Sequence, residues 1–266
     1  MGVFRLNLAP WREAGYGADF IPYSVVEDGE VVANVAFNRM RLLIGGRPRS
    51  AFQLSTVMTR PDFRGQGLSA LLIRHILEEH AADCDFFYLF ANGTVLDFYP
   101  RFGFRRVPET RPFTGLLALP SDRGPVRRLD LDQDGDMAIF KRLIGCRVPV
   151  SPALSTIEDE ALLYFRCTAL CREQLYYLPD DDLIAVADAK PGSVELKDVI
   201  SPRSFDLERV MARLAGGERA LFRFGFIPAP SSEYSVCYEP VSHDALFVLG
   251  APDLGERVLF PVLSHA

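Results

Sequence analysis

The sequence predicts an α/β (α+β) protein: a mixed, twisted sheet with flanking helices, followed by a second body of the same plan. Three observations predict it. A strand, helix, strand pattern occupies residues 51–90. A similar pattern recurs at residues 194–227. Hairpin-like apolar runs precede the first of them.

Taken in order, Ile21–Val26 and Val31–Phe37 are apolar runs joined by Glu27-Asp28-Gly29-Glu30, the composition of a hairpin turn. Arg41–Ile44 with Gly45-Gly46 predicts a further strand and turn. Ala51–Thr59 is rich in residues that suit a pleated sheet. Leu68, Leu71, Leu72, Ile76 and Leu77 then fall at helical spacing, so a helix starts near Gly67 and faces the sheet. Asp85–Phe90 is almost continuously apolar, as expected of a strand buried on both faces. Such a crossover is parallel and right-handed. A short helix is expected over Thr94–Phe102, then extended chain over Phe104–Leu119, broken at Pro108 and Pro112.

Pro120–Pro125 is the best linker in the sequence, which predicts units at 1–120 and 121–266. In the second unit Val194–Ser201 and Ala220–Ile227 are strand-like. Between them Leu207, Val210, Met211 and Leu214 give a helical stripe ended by Gly216-Gly217. The order suggests an internal repeat; chance is the competing explanation, because βαβ patterns are common.

Composition narrows the function. With 266 residues, 48% hydrophobic and 24% charged, the chain is globular. No stretch approaches the roughly 18 apolar residues of a membrane span. Met1–Glu13 carries Arg5 and Arg12 and does not read as a secretory signal, so a soluble cytoplasmic protein without membrane partners is expected. Net charge is −6, distributed as +1 over residues 1–120 and −7 over 121–266. No basic stripe is present, which argues against nucleic acid as a partner. Oligomerisation is left open. The five Cys (Cys84, Cys146, Cys167, Cys171, Cys237) are read as small buried thiols rather than a disulfide framework. The four His form no paired metal motif, and no metal is expected. Asp130-Leu131-Asp132-Gln133-Asp134-Gly135 imitates the start of a calcium loop, but Lys141 stands where a bidentate Glu is needed. It reads as a linker feeding acids to the N-terminus of a helix over Met137–Ile144.

Chemistry concentrates in Arg64-Gly65-Gln66-Gly67-Leu68-Ser69, between a strand and a helix. Glycines let backbone approach a ligand closely. The first amides of a helix have no partner within it, and with the dipole they favour an anion such as a pyrophosphate. Arg64 adds a fixed charge. The chain has no Gly-Lys pair for a P-loop, and position 70 is Ala where a dinucleotide fingerprint has its third Gly. Taken alone, the loop is equally a tightly packed helix start.

Two stretches together resemble a family. Val57-Met58-Thr59-Arg60-Pro61-Asp62-Phe63-Arg64-Gly65-Gln66-Gly67-Leu68-Ser69 is similar to the Arg/Gln-x-x-Gly-x-Gly/Ala motif of the GNAT (Gcn5-related N-acetyltransferase) superfamily. Phe98-Tyr99-Pro100-Arg101-Phe102-Gly103-Phe104 resembles its second signature, Phe-Tyr-x-x-x-Gly-Phe. The resemblance covers about residues 20–110, with Ser69 where Gly or Ala is usual.

The resemblance implies a GNAT fold, then a second GNAT-like domain lacking the CoA loop, since Pro202-Arg203-Ser204-Phe205 has no glycine pair. It implies acetyl-CoA as cosubstrate. The N–H groups of Val57 and Met58, with Thr59 beside them, would take the thioester carbonyl and pantetheine arm. Arg64, Gly65, Gln66, Gly67, Leu68 and Ser69 would cradle the pyrophosphate, Ser69 with an added hydroxyl. Asn92 would hold the pantetheine or order a water. Tyr99 would be the general acid for the departing thiolate; its other reading is a packing aromatic. No general base is visible: Gln53, Ser55 and Thr56 are none, and Asp97 and His80 are only near in sequence. The tandem arrangement resembles the enhanced-intracellular-survival type of acetyltransferase. Those proteins carry a further sterol-carrier-like domain for which this chain is too short, which weakens any transfer of their aminoglycoside substrates.

The expected function is N-acyl transfer: acetyl moves directly from acetyl-CoA to a primary amine, small molecule or peptide, in a ternary complex at the junction of the halves. The alternative, motivated by the missing base and degenerate second half, is a non-catalytic acyl-CoA-binding or scaffolding protein.

Overall fold

The computed structural model describes residues 17–250, apart from 121 and 123, and 252–265. Met1–Glu13 and two linker residues, Ser121 and Arg123, lie outside the described residues. The first sheet opens with an antiparallel meander of β1 (Phe20–Glu27), β2 (Glu30–Ile44) and β3 (Arg47–Thr59). Both turns, Asp28-Gly29 and Gly45-Gly46, hold positive φ at both central residues. That is the twist a two-residue hairpin needs. Val31–Phe37 and Arg41–Ile44 are one strand rather than two. Met40 and Leu42 are buried while Arg39 and Arg41 are exposed, so the pleat continues unbroken through the polar residues.

Helix α1 (Leu68–His80) then crosses to β4 (Phe86–Ala91), which lies parallel to β3. Leu72, Ile73 and Ile76 are its buried residues. Leu71, expected on the inner stripe, is 58% exposed. Successive residues turn by about 100°, and a face centred on Leu72 and Ile76 carries Leu71 outward. Thr94–Phe102 is not a helix: turns lead into a single 3-10 turn, Tyr99–Phe102, closed by Gly103 at φ 87°. Only Pro108 interrupts the extended chain that follows. Pro112 lies within a strand, opposite Tyr238.

The remaining elements are β5 (Arg105–Val107), β6 (Thr110–Leu117), β7 (Arg127–Arg128), α2 (Asp134–Ile144), β8 (Leu154–Ile157), α3 (Glu160–Ala169), β9 (Leu175–Leu178), β10 (Leu183–Lys190), β11 (Ser193–Ile200), α4 (Leu207–Ala215), β12 (Ala220–Phe224), β13 (Val236–Pro240) and β14 (Ala245–Leu249). The first sheet runs β1-β2-β3-β4-β14-β5, with β8 also paired to β2. The second runs β13-β6-β12-β11-β10-β9-β7.

The two sheets share a plan. β3-α1-β4 in the first corresponds to β11-α4-β12 in the second, each a parallel pair with a helical crossover. Beside each pair lies an antiparallel strand from the other side of residue 120: β14 against β4, and β6 against β12. The last neighbours, β5 and β13, are antiparallel too. The first half therefore lends β6 to the second sheet, and the second half lends β14 and β8 to the first.

One face of the first sheet packs on α1 through Phe37, Phe52, Leu54, Ile73, Ile76, Leu89 and Phe247. The opposite face buries Met40, Leu42, Phe86, Tyr88, Leu246 and Phe260. Between the sheets the Arg147 guanidinium lies 2.9 Å from Asp198 and 3.6 Å from Asp159, all three side chains at most 5% exposed. Of the five thiols, all free, Cys167 and Cys171 are buried and Cys84 is half-buried, but Cys146 and Cys237 are exposed. Among the described residues no helix is long and apolar enough to cross a membrane.

Candidate active site

β3 and β4 are paired only from Ala51–Leu54 and Phe86–Leu89. Beyond Leu54, β3 has no strand on that side, and the two strands part. The cause is a bulge on β3: Met58 lies opposite Asn34 and Ser55 opposite Ala36, so Thr56 and Val57 together face Val35. An extra residue bends a strand away from its neighbour. Thr56 holds φ 46°, an uncommon conformation for a β-branched residue.

The parting opens a cleft of ≈ 900 Å³. Its walls bring together Val57, Met58 and Thr59 from β3, Arg64, Gly65, Gly67, Leu68 and Ser69 from the loop and the head of α1, and Asn92 and Tyr99 beyond β4. Gln66 does not line it. Arg101 does, which the sequence reading missed although it lies inside the second motif. Among the described residues, no Asp, Glu, His or Lys lines the cleft; its ionisable groups are Arg64, Arg101 and Tyr99.

The loop geometry explains its composition. Gly65 and Gly67 both sit at φ 78°, and Gly67 caps the helix with no side-chain bond to the first turn. A side chain in that left-handed conformation is strained, even though a Cβ at either position would meet nothing within 4 Å. The amides at the head of α1 are left for a ligand. The Thr59 and Ser69 hydroxyls lie 2.6 Å apart, so Ser69 ties the helix head to β3. Arg64 donates through Nε to the Thr59 carbonyl at 3.3 Å.

Tyr99 is 5% exposed. It packs in tilted or edge contacts with Phe98, Phe104 and Phe247. Burial pushes its hydroxyl up to about 12, so it keeps its proton at neutral pH. Asn92 is exposed, lines the cleft and accepts from the Thr94 amide at 3.0 Å through Oδ1. His80 lies outside the cleft: its Nε2 meets the Tyr23 hydroxyl at 2.8 Å and its Nδ1 meets Asp83 at 2.7 Å.

In the second sheet the corresponding gap is filled. Past Leu196, opposite Phe224, the Gly225 amide donates to the Leu196 carbonyl at 2.8 Å. Val262 in turn donates to the Gly225 carbonyl at 2.9 Å. A Cβ on Gly225 would lie 2.4 Å from the Lys197 carbonyl oxygen and 2.5 Å from Val262 Cγ2. Glycine is required there for close packing.

Residues 11–107 match the sequence model of an acetyltransferase (GNAT) domain. The chain carries a GNAT domain. No curated protein matches the chain. Solved structures do. A conserved protein of unknown function from Enterococcus faecalis V583, described as a probable N-acyltransferase, is similar with a TM-score of 0.59 at 13% identity, over 91% of this chain and 66% of that one. A GCN5-related N-acetyltransferase from Kribbella flavida gives 0.54 at 18% identity, over 90% and 61%. Eis1 from Mycobacterium abscessus gives 0.55 at 12% identity, over 85% and 64%. At these identities the likeness is one of fold. It extends beyond the matched residues, across both sheets. The chain spans 61% to 66% of the length of these proteins.

Proposed function

We propose that this GNAT chain is an N-acyltransferase that moves acetyl from acetyl-CoA to a primary amine by direct transfer in a ternary complex. The observation that carries the reading is the cleft itself. Two left-handed glycines at the head of α1, a pair of arginines with no lining carboxylate among the described residues, and a protonated tyrosine meet where β3 and β4 part.

These residues fit an elongated diphosphate. The amides of the Arg64–Ser69 loop and the dipole of α1 receive the pyrophosphate. The stretch of β3 from Val57 to Thr59, which no strand covers on the β4 side, offers backbone N–H to the pantetheine and the thioester carbonyl. Asn92 Nδ2 holds the arm from the other side.

In the transfer, the amine nitrogen attacks the thioester carbonyl carbon; the C–N bond forms and the C–S bond breaks. The thiolate takes the Tyr99 proton, and the phenolate recovers one from solvent. The proton left on nitrogen passes to water, in keeping with a cleft lined by no carboxylate or imidazole among the described residues. The acceptor is a small-molecule or peptide amine.

Calorimetric titration of acetyl-CoA into the wild type and into Gly65→Glu/Gly67→Glu tests the reading. Wild-type binding lost in a folded double variant is expected, followed by thiol release with an amine panel. Binding without turnover of any amine would overturn the enzyme and leave a carrier of acyl-CoA. Absence of wild-type binding would overturn both.

A further inference from the structure

Asn34 is a polar amide within the otherwise apolar run Val31–Phe37 of β2. Its Nδ2 donates to the Thr56 carbonyl and to Thr56 Oγ1, both at 3.1 Å. Its Oδ1 accepts from Ser24 Oγ of β1 at 3.0 Å. The Thr56 carbonyl, which can only accept, fixes which end of the amide faces it. One side chain thus spans three strands and clasps the one residue of β3 that holds a left-handed conformation.

We propose that Asn34 is a positioning residue that locks the Thr56 bulge and so sets the opening between β3 and β4 and the aim of the backbone from Val57 to Thr59. The inference rests on the acetyl-CoA reading above. Threonine resists φ 46° because its branched Cβ crowds the backbone. Without the two bonds from Asn34, β3 relaxes toward regular pairing, and the amides that face the acyl end turn away. The loop at the head of α1 is untouched, since its conformation is set by Gly65 and Gly67. An aspartate at position 34 would set a carboxylate oxygen against the Thr56 carbonyl, reversing the contact. Glycine at 56 takes the left-handed conformation without help.

The test compares two probes. Acetyl-CoA uses both the loop and β3; 3′-phospho-ADP presents the diphosphate end without the pantetheine arm. Asn34→Ala and Asn34→Asp are expected to weaken acetyl-CoA at least ten-fold while leaving 3′-phospho-ADP within two-fold. Asn34→Ala/Thr56→Gly is expected to regain acetyl-CoA affinity. Equal weakening of both probes, retained acetyl-CoA affinity, or failure of Thr56→Gly to restore it would overturn the assignment. Should Asn34→Ala not fold, Thr56→Gly and the double variant carry the test. The two must bind acetyl-CoA alike, and a ten-fold gap between them would overturn the role. Absence of wild-type binding to acetyl-CoA would remove the underlying reading and this inference with it. Binding kept by both Asn34 variants removes this inference alone.

Discussion

The ring of Tyr99 lies 5.8 Å from that of Phe247, and Phe247 reaches it on β14, a strand contributed from the far side of the linker. The proposed acid therefore stands on a floor built by the other half. Phe247 is 1% exposed, and its truncation to Ala is expected to cost about 3–5 kcal/mol. Phe247→Leu, which keeps most of the volume, should cost clearly less. Urea unfolding of the two variants checks the order; equal costs would deny that the ring's packing matters.

Tyr99→Phe keeps the aromatic packing and removes only the hydroxyl. Turnover is expected to fall roughly 10²- to 10⁴-fold, with acetyl-CoA affinity unchanged. Because burial raises the hydroxyl to about 12, the wild-type profile of kcat against pH should show no falling limb from this group between pH 7 and 10. A limb in that range that disappears in Tyr99→Phe would contradict the burial described here.

Glu109 is buried where the chain crosses from β5 to β6, and its carboxylate accepts from the Phe260 amide at 2.9 Å. Burial outweighs that bond and the nearby Arg111, and raises the carboxyl from 4.5 to about 7. A carboxyl whose folded value is raised favours the folded state while protonated. That contribution is full below about 4.5 and is lost as pH rises through about 7, a change of order 3 kcal/mol. Wild-type melting temperature should therefore fall between pH 5 and 8 relative to Glu109→Gln, whose amide still accepts from Phe260. Parallel melting curves across that range would refute the shift.

Arg147 neutralises Asp159 and Asp198 between the two sheets. Asp159 precedes α3, next to β8 of the first sheet, and Asp198 belongs to β11 of the second. Arg147→Met strands two buried carboxylates, with an expected loss of about 3–5 kcal/mol. Adding Asp198→Asn should recover part of it, because one stranded charge is removed. A denaturant double-mutant cycle with strictly additive costs would show that the two side chains do not interact.

What the sequence displayed was local. The apolar run ending at Thr59, the helix from Leu68 and the strand ending near Phe90 were legible because periodicity reports burial directly. The loop was legible because Gly65 and Gly67 have few other uses between a strand and a helix. Partnership between strands was not. Nothing within Phe113–Leu117 or Ala245–Leu249 says which sheet each will join, since the choice depends on distant edges. Leu71 was placed inward because a count of apolar residues cannot rank the two sides of a stripe. Asn34 left only a faint trace, one amide in an apolar strand, and its partner Thr56 lies 22 positions further along the chain. Arg101 carries no pattern of its own inside a motif defined by its glycine and aromatics.

The strand exchange also bears on how the chain is made. Synthesis delivers β1 to β5 long before β14, so β4 and β5 leave the ribosome with the slot between them vacant. β6, emerging next, has no partner until β12 follows about a hundred residues later. For that interval the nascent chain exposes apolar strand edges of the kind that invite wrong pairing. Neither half can finish ahead of the other, and a fragment ending at the linker would lack the strand that closes its own sheet.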